Sequence, residues 1–168
     1  MSETILVTGA SAGFGQAICR RLVADGYRVI GSARRIDKLQ ALQEELGEAF
    51  YPLQMDVTDL SQVDHALASL PKAWERVDVL VNNAGLALGL APAYEAEVAD
   101  WLTMIQTNIV GLTYLTRKIL PQMVERNDGY IINLGSTAGT VPYPGANVYG
   151  ASKAFVKQFS LNLRADLA

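Results

Sequence analysis

The chain has 168 residues, half of them apolar, with 14 Lys and Arg against 17 Asp and Glu and a formal net charge of -3. That is enough chain for one domain with its own core. It carries no basic stripe for a nucleic acid, no charge excess for a membrane surface, and no apolar run near the ~20 residues that a spanning helix needs. The single cysteine, Cys19, excludes an internal disulfide, and "MSETILVTG" lacks the basic-then-apolar build of a secretory signal, so a cytoplasmic protein is expected.

The first strand-like run is "TILVT" (4–8), followed by "VTGASAGFGQAI" (7–18) and a helical stretch from Gln16 to Asp25 that Gly26 stops. Gly9, Gly13 and Gly15 stand in a G-x-x-x-G-x-G spacing between strand and helix. Glycines there permit a tight turn and close backbone approach. The helix N-terminus behind them offers free N–H groups and a positive dipole end to a pyrophosphate. A phosphate-binding loop is expected, with a purely structural turn as the alternative.

The second strand-like run, "RVIGS" (28–32), enters "GSARRIDKL", where no acid appears before Asp37. An NAD site places Asp or Glu at this point to hold the ribose hydroxyls. Arg34 and Arg35 stand there instead, and guanidinium groups suit a 2′-phosphate, so NADP is expected over NAD. Lys38 to Leu46 reads as a helix, "AFYPLQM" (49–55) as a strand, and Ser61 to Leu70 as a helix. Asp56, at the end of the third strand, either faces the adenine ring or caps the next turn. His65 lies on the polar side of its helix, and Cys19 reads as a packing residue.

"VDVLVN" (77–82) is the fourth strand, and its end, "VNNAG" (81–85), has small residues and amides suited to a cofactor cleft. A long helix is predicted from about Val98 to Leu120, bent or ended by Pro121. Asn108 falls inside it, an unfavourable interior residue unless its amide has a partner. "YIINLG" (130–135) is the fifth strand, and "GSTAG" (135–139) follows at its carboxyl end, where open α/β sheets place their ligand crevice. The last helix is predicted to begin near Tyr149, with "YGASK" (149–153) in its first turn. Residues four apart share a helix face, so Tyr149 and Lys153 point into one cleft. At ~6 Å and an effective dielectric near ~20, the ammonium favours a phenolate by about 2.8 kcal/mol. The final "FVKQFSLNLRADLA" is amphipathic and stops without a glycine cap, so the chain is expected to continue past Ala168.

Strands alternating with helices specify one α/β domain over residues 1–168, a doubly wound parallel sheet with helices on both faces. "TGASAGFG", "NNAG", Asn108, a serine thirteen residues before a tyrosine, and "YGASK", in that order, resemble the short-chain dehydrogenase/reductase family. "NNAGLALG", "MVERN", "STAG" and "KAFVKQFSLNLRADL" are similar, within it, to the NADP-dependent 3-hydroxy acid dehydrogenases that act on serine, allo-threonine or malonic semialdehyde.

That resemblance implies a Rossmann-type fold, whose last strands and substrate lid would lie beyond this chain, and a catalytic set of Ser136, Tyr149, Lys153 and Asn108. Tyr149 would exchange a proton with the substrate oxygen, and Ser136 would hydrogen-bond the same oxygen. Lys153 would hold the nicotinamide ribose, and Asn108 would anchor a relay water. The NADP contacts are expected from Gly9, Ser11, Gly13, Phe14, Gly15, Arg34, Arg35, Asp56, Val57, Asn83, Ala84 and Gly85, with Tyr149 and Lys153. A small-molecule substrate and a homo-oligomer, dimer or tetramer, are implied, with the long helix and the last helix as candidate interfaces. Two alternatives stay open: a reductase of another carbonyl or alcohol, and a nucleotide-binding module without turnover.

Overall fold

The computed structural model describes residues 3–167. Five parallel strands form one sheet in the order β3-β2-β1-β4-β5: β1 (Thr4–Thr8), β2 (Arg28–Ala33), β3 (Phe50–Gln54), β4 (Val79–Asn82) and β5 (Tyr130–Asn133). The order reverses direction at β1, so the crevice between β1 and β4 opens at the carboxyl ends of the strands. The helices are α1 (Gly13–Ala24), α2 (Ile36–Leu46), α3 (Leu60–Ala68), α4 (Val98–Ile105), α5 (Leu112–Glu125) and α6 (Asn147–Asp166).

Alternation along β1 assigns the two faces. Leu6 points into a core with Ile30, Leu80, Val63 of α3 and Leu115 and Ile119 of α5. Ile5 and Val7 point the other way, against Cys19 of α1 and Leu39 and Leu42 of α2. Both faces are apolar because both are covered, the pattern of a doubly wound parallel sheet. Cys19 is fully buried as packing, and burial pushes its thiol up to about 12. His65 is exposed, as its place on α3 implied. The two sheet edges differ. β3 carries Pro52, whereas β5 runs "YIIN" with Tyr130 70% and Ile132 49% exposed.

The long helix departs from the expectation. It is not ended by Pro121, which lies inside α5 and is followed by helix to Glu125. The irregularity comes earlier, as a π-helical turn over Gln106–Gly111 between α4 and α5. Two tertiary contacts account for it. Gly111 packs so tightly on Val57 that a Cβ there would lie 2.7 Å from the Val57 carbonyl oxygen. The buried Asn108 amide reaches out of the turn to other segments, described below. An inserted residue lets the helix meet both demands without ending. α6 begins at Asn147, two residues before the predicted start.

Candidate active site

Two adjoining clefts line the carboxyl edge of the sheet. The first, about 250 Å³, is bounded by Gly9, Ser11, Ser32, Arg34, Arg35, Met55, Asp56, Val57, Ala84 and Gly85, with Thr103 and Thr107 behind. The second, about 470 Å³, is bounded by Gly9, Ser11, Gly13, Phe14, Arg35, Asn83, Ala84, Gly85, Leu86, Leu134, Tyr149 and Lys153. They share Gly9, Ser11, Arg35, Ala84, Gly85 and Leu86, and so form one trough. A larger concavity, about 800 Å³, runs along β5 between the ends of α5 and α6. Its walls include Leu120, Met123, Tyr130 and Leu163 and hold none of the expected site residues.

The glycine loop is fixed by its neighbours. Thr8, buried at the end of β1, accepts hydrogen bonds on Oγ1 from the Asn83 and Ala84 amides at 3.0 and 2.9 Å. Asn83 Nδ2 donates to the Thr8 carbonyl at 2.8 Å and reaches the Gly9 carbonyl at 3.4 Å. Gly15 lies beneath this clamp, lining neither cleft, and a Cβ there would strike the Gly9 carbonyl oxygen. α1 starts at Gly13 after Ala12 with no side-chain cap and no acid in its first turn. α3, by contrast, is capped by Asp59, whose carboxylate accepts from Gln62 N at 3.0 Å. The α1 N-terminus thus keeps free N–H groups and its positive end facing the trough. Phe14 stands 79% exposed beside it.

At the far end of the trough, Arg34 and Arg35 are both exposed. Arg35 Nη2 donates to Ser11 Oγ at 2.9 Å, which draws a guanidinium across the glycine loop. The Asp56 carboxylate lines the same cleft, but its Oδ1 accepts from Thr58 N at 2.9 Å and Thr58 Oγ1 at 2.7 Å. The turn-capping alternative for Asp56 is therefore present in the structure.

At the other end, α6 places Tyr149 and Lys153 one turn apart, with Lys153 Nζ 6.0 Å from the Tyr149 ring centroid. Tyr149 is half-buried, whereas Lys153 is 8% exposed and donates to the Leu134 carbonyl at 2.8 Å. Burial pushes the Lys153 ammonium below the usual lysine range. Gly85 lies against it: a Cβ there would stand in ordinary contact with Nζ at 3.5 Å. Ser136 heads the short turn Thr137–Gly139, where its Oγ accepts from Ala138 N at 3.2 Å. It stands beside Leu134 and Gly135 rather than on the cleft wall, and as an acceptor it keeps its hydroxyl proton free to donate.

Asn108 sits behind the trough with its side chain engaged. Nδ2 donates to the Leu86 carbonyl at 2.9 Å and to Ser152 Oγ at 3.1 Å, and Oδ1 accepts from Leu86 N at 3.0 Å. A relay water held by Asn108 would have to use the remaining lone pair of Oδ1 or its main-chain carbonyl. Ser152, fully buried, donates to the Tyr149 carbonyl at 2.7 Å and so links Asn108 to the turn that carries the tyrosine. Neither Thr8 nor Ser152 is singled out in the reading of the sequence. For Thr8 the signal is a polar residue at the strand end next to the glycines.

Comparisons with known proteins give the family. A family model described as short chain dehydrogenase matches residues 3–168. A protein of Salmonella typhi, NADP-dependent 3-hydroxy acid dehydrogenase YdfG, is 61% identical over 163 residues, covering 97% of this chain and 66% of that protein. The serine 3-dehydrogenase of Agrobacterium fabrum is 52% identical over 167 residues, 99% of this chain and 67% of its own. Among solved structures, serine dehydrogenase from Escherichia coli superposes with a TM-score of 0.95 at 59% identity, over 97% of this chain and 75% of that one. The closed form of serine dehydrogenase complexed with NADP+ gives 0.96 at 59% identity, over 98% and 66%. This chain spans about two thirds of the length of the curated relatives it matches. A parallel sheet that switches direction at a glycine loop, a match along its whole length and relatives at this identity lead to one statement: the chain belongs to the short-chain dehydrogenase family.

Proposed function

We propose that this chain forms the NADP-binding and proton-transfer centre of an oxidoreductase acting on the hydroxyl carbon of a small 3-hydroxy acid, such as serine, allo-threonine or 3-hydroxypropionate. The observation that carries the reading is Lys153, a buried ammonium one helical turn from Tyr149, in a trough that also opens on the uncapped N-terminus of α1. A lysine is expensive to bury, and one kept beside a tyrosine hydroxyl in a cleft is a functional arrangement.

The residues present fit the dinucleotide. The α1 N-terminus offers N–H groups to a pyrophosphate, and the absent side chain of Gly15 lets Gly9 and Asn83 close up beneath it. Arg34 and Arg35 offer guanidinium groups where β2 ends in Ala33 rather than an acid. When bound, NADP supplies or accepts the hydride at nicotinamide C4. Tyr149 exchanges the proton on the substrate oxygen, Ser136 donates a hydrogen bond to that oxygen, and Lys153 holds the ribose hydroxyls and favours the tyrosinate. The remaining expected NADP contacts, Ser11, Gly13, Phe14, Val57, Ala84 and Gly85, belong to the same proposal, as does Asp56. The 3-hydroxy acid specificity rests on the likeness to relatives that bear that name.

One observation favours a second reading, an uncharged carbonyl or alcohol substrate. Among the described residues around the Tyr149 cleft, the cations are Lys153 and, at the adenosine end, Arg35, so no further cation meets a substrate carboxylate there. A homo-oligomer is part of the proposal, built on the apolar surface that α4 and α6 leave exposed at Leu102, Ile105, Phe155 and Leu161. Turnover of serine and 3-hydroxypropionate, set against their methyl esters and simple alcohols, separates the two substrate classes. Tyr149→Phe is expected to abolish turnover and leave NADPH affinity within about twofold, because only the hydroxyl is lost and the phenyl ring stays. Full turnover in that variant would refute the mechanism.

A further inference from the structure

The segment 86–91, which follows the β4 end and forms the cleft wall at Leu86 and Ala87, is tethered along its length by side chains of the helices around it. Both main-chain groups of Leu86 bond Asn108 in the π turn. Leu88 N donates to Met104 Sδ of α4 at 3.4 Å. The Ala91 carbonyl accepts from Asn147 Nδ2 of α6 at 3.2 Å. Gly145, with φ of 81°, lets the chain before α6 press so close on Leu90 that a Cβ would strike the Leu90 carbonyl oxygen.

Asn147 is the member of this set that joins three elements. Its Oδ1 accepts from Trp101 Nε1 of α4 at 3.0 Å and from Val148 N at 2.8 Å, while Nδ2 holds Ala91. Two residues further along the same helix turn stands Tyr149. We infer that Asn147 is a positioning residue: it fixes the strap 86–91 at a set distance from the Tyr149 hydroxyl and thereby sets the width of the substrate cleft. The inference rests on the proposed role of Tyr149. The physical reason is that a strap of small and apolar residues has no core of its own, so its place is decided by whichever groups satisfy its main chain. An amide carries an acceptor for Trp101 and a separate donor for Ala91 on one short side chain.

Asn147→Asp separates the two functions of the amide. The carboxylate still accepts from Trp101 and Val148, but it cannot donate to Ala91 and repels that carbonyl. Trp101→Phe removes the opposite bond. In the full chain with NADPH present, Asn147→Asp is expected to speed amide hydrogen exchange in 86–91 by about tenfold, with exchange in β1 and α1 unchanged. KM for the hydroxy acid is expected to rise by about tenfold with kcat within about twofold, and Trp101→Phe to give the same pattern more weakly. Unchanged exchange in 86–91 in both variants would overturn the inference, and so would faster exchange with an unchanged KM. A wild-type chain that does not bind NADPH would count against the proposed function, and the exchange comparison, run without cofactor, would then decide the clamp by itself.

Discussion

Gly13 and Gly15 flank Phe14 and look alike in sequence, yet they should respond differently to alanine. At Gly15 an added Cβ meets the Gly9 carbonyl, lies 2.7 Å from the Gly9 carbonyl carbon and sits 2.5 Å from Asn83 Nδ2. Neither neighbour is a flexible side-chain end. Gly9 has φ of 68° and sits in a tight turn, and Asn83 is held by Thr8. Overpacking of that kind costs about 2 kcal/mol, and loss of the Asn83 bonds adds about 1 kcal/mol, for a total near 3 kcal/mol. At Gly13 nothing lies within 4 Å of the added atom, so only the left-handed φ of 53° resists, at about 1 kcal/mol. For a chain of this length the melting temperature falls by about 2–4 °C per kcal/mol, so Gly15→Ala should lose about 6–12 °C and Gly13→Ala about 2–4 °C. Thermal unfolding by circular dichroism reads both. NADPH affinity should fall in Gly15→Ala by about tenfold or more, because the phosphate loop has to move. A Gly13→Ala loss equal to or greater than that of Gly15→Ala would refute the packing argument.

Replacing Arg34 and Arg35 together with alanine should weaken NADPH by about 30- to 100-fold, roughly 1 kcal/mol or slightly more for each exposed guanidinium, and weaken NADH by less than about threefold. Isothermal titration with the two cofactors checks this, and equal losses would remove the assignment of the arginines to the 2′-phosphate. Asp78 is set between opposing effects. Burial pushes its carboxyl up, but the hydrogen bond from the Thr4 amide, the Arg76 hydrogen bond and charge, and the nearby Arg126 outweigh this and hold it below the usual carboxylate range. Its folded-state pKa is therefore lower than its unfolded one, so its contribution to stability is present above pH ~4 and is lost as pH falls through the folded value. Asp78→Asn should cost about 1–3 kcal/mol at pH 7 and much less near pH 2, a convergence that urea melts at the two pH values would show.

Much of the site was legible before the structure because it rests on local rules. The glycine spacing, the missing acid after β2 and the four-residue interval between Tyr149 and Lys153 each follow from backbone geometry or charge acting within one element. The π turn was not legible, since its causes are Val57 pressing on Gly111 and Leu86 bonding Asn108, contacts between segments far apart in sequence. Pro121 drew attention as the natural break, but a proline inside a helix that packs through Leu115, Ile119 and Met123 forfeits one hydrogen bond while the core contacts on either side persist. The fifth strand was read as reaching Gly135 and ends at Asn133. The Leu134 carbonyl just beyond is taken by Lys153 Nζ, a partner that no strand propensity announces. Asn147 ends "TVPYPGAN" (140–147), a loop that the sequence marks as bearing on substrate choice. Its value as a three-way joint appears only once α4 and the strap are beside it.

The unequal edges of the sheet decide on which side it can grow. Pro52 removes a donor from β3 and makes that border a poor template for another chain. β5 has no such guard: "YIIN" contains no proline and no charge, and two of its apolar side chains stand in solvent. An extended segment that pairs along β5 would cover Tyr130 and Ile132 and continue the sheet on that side, whereas the β3 border offers no such place.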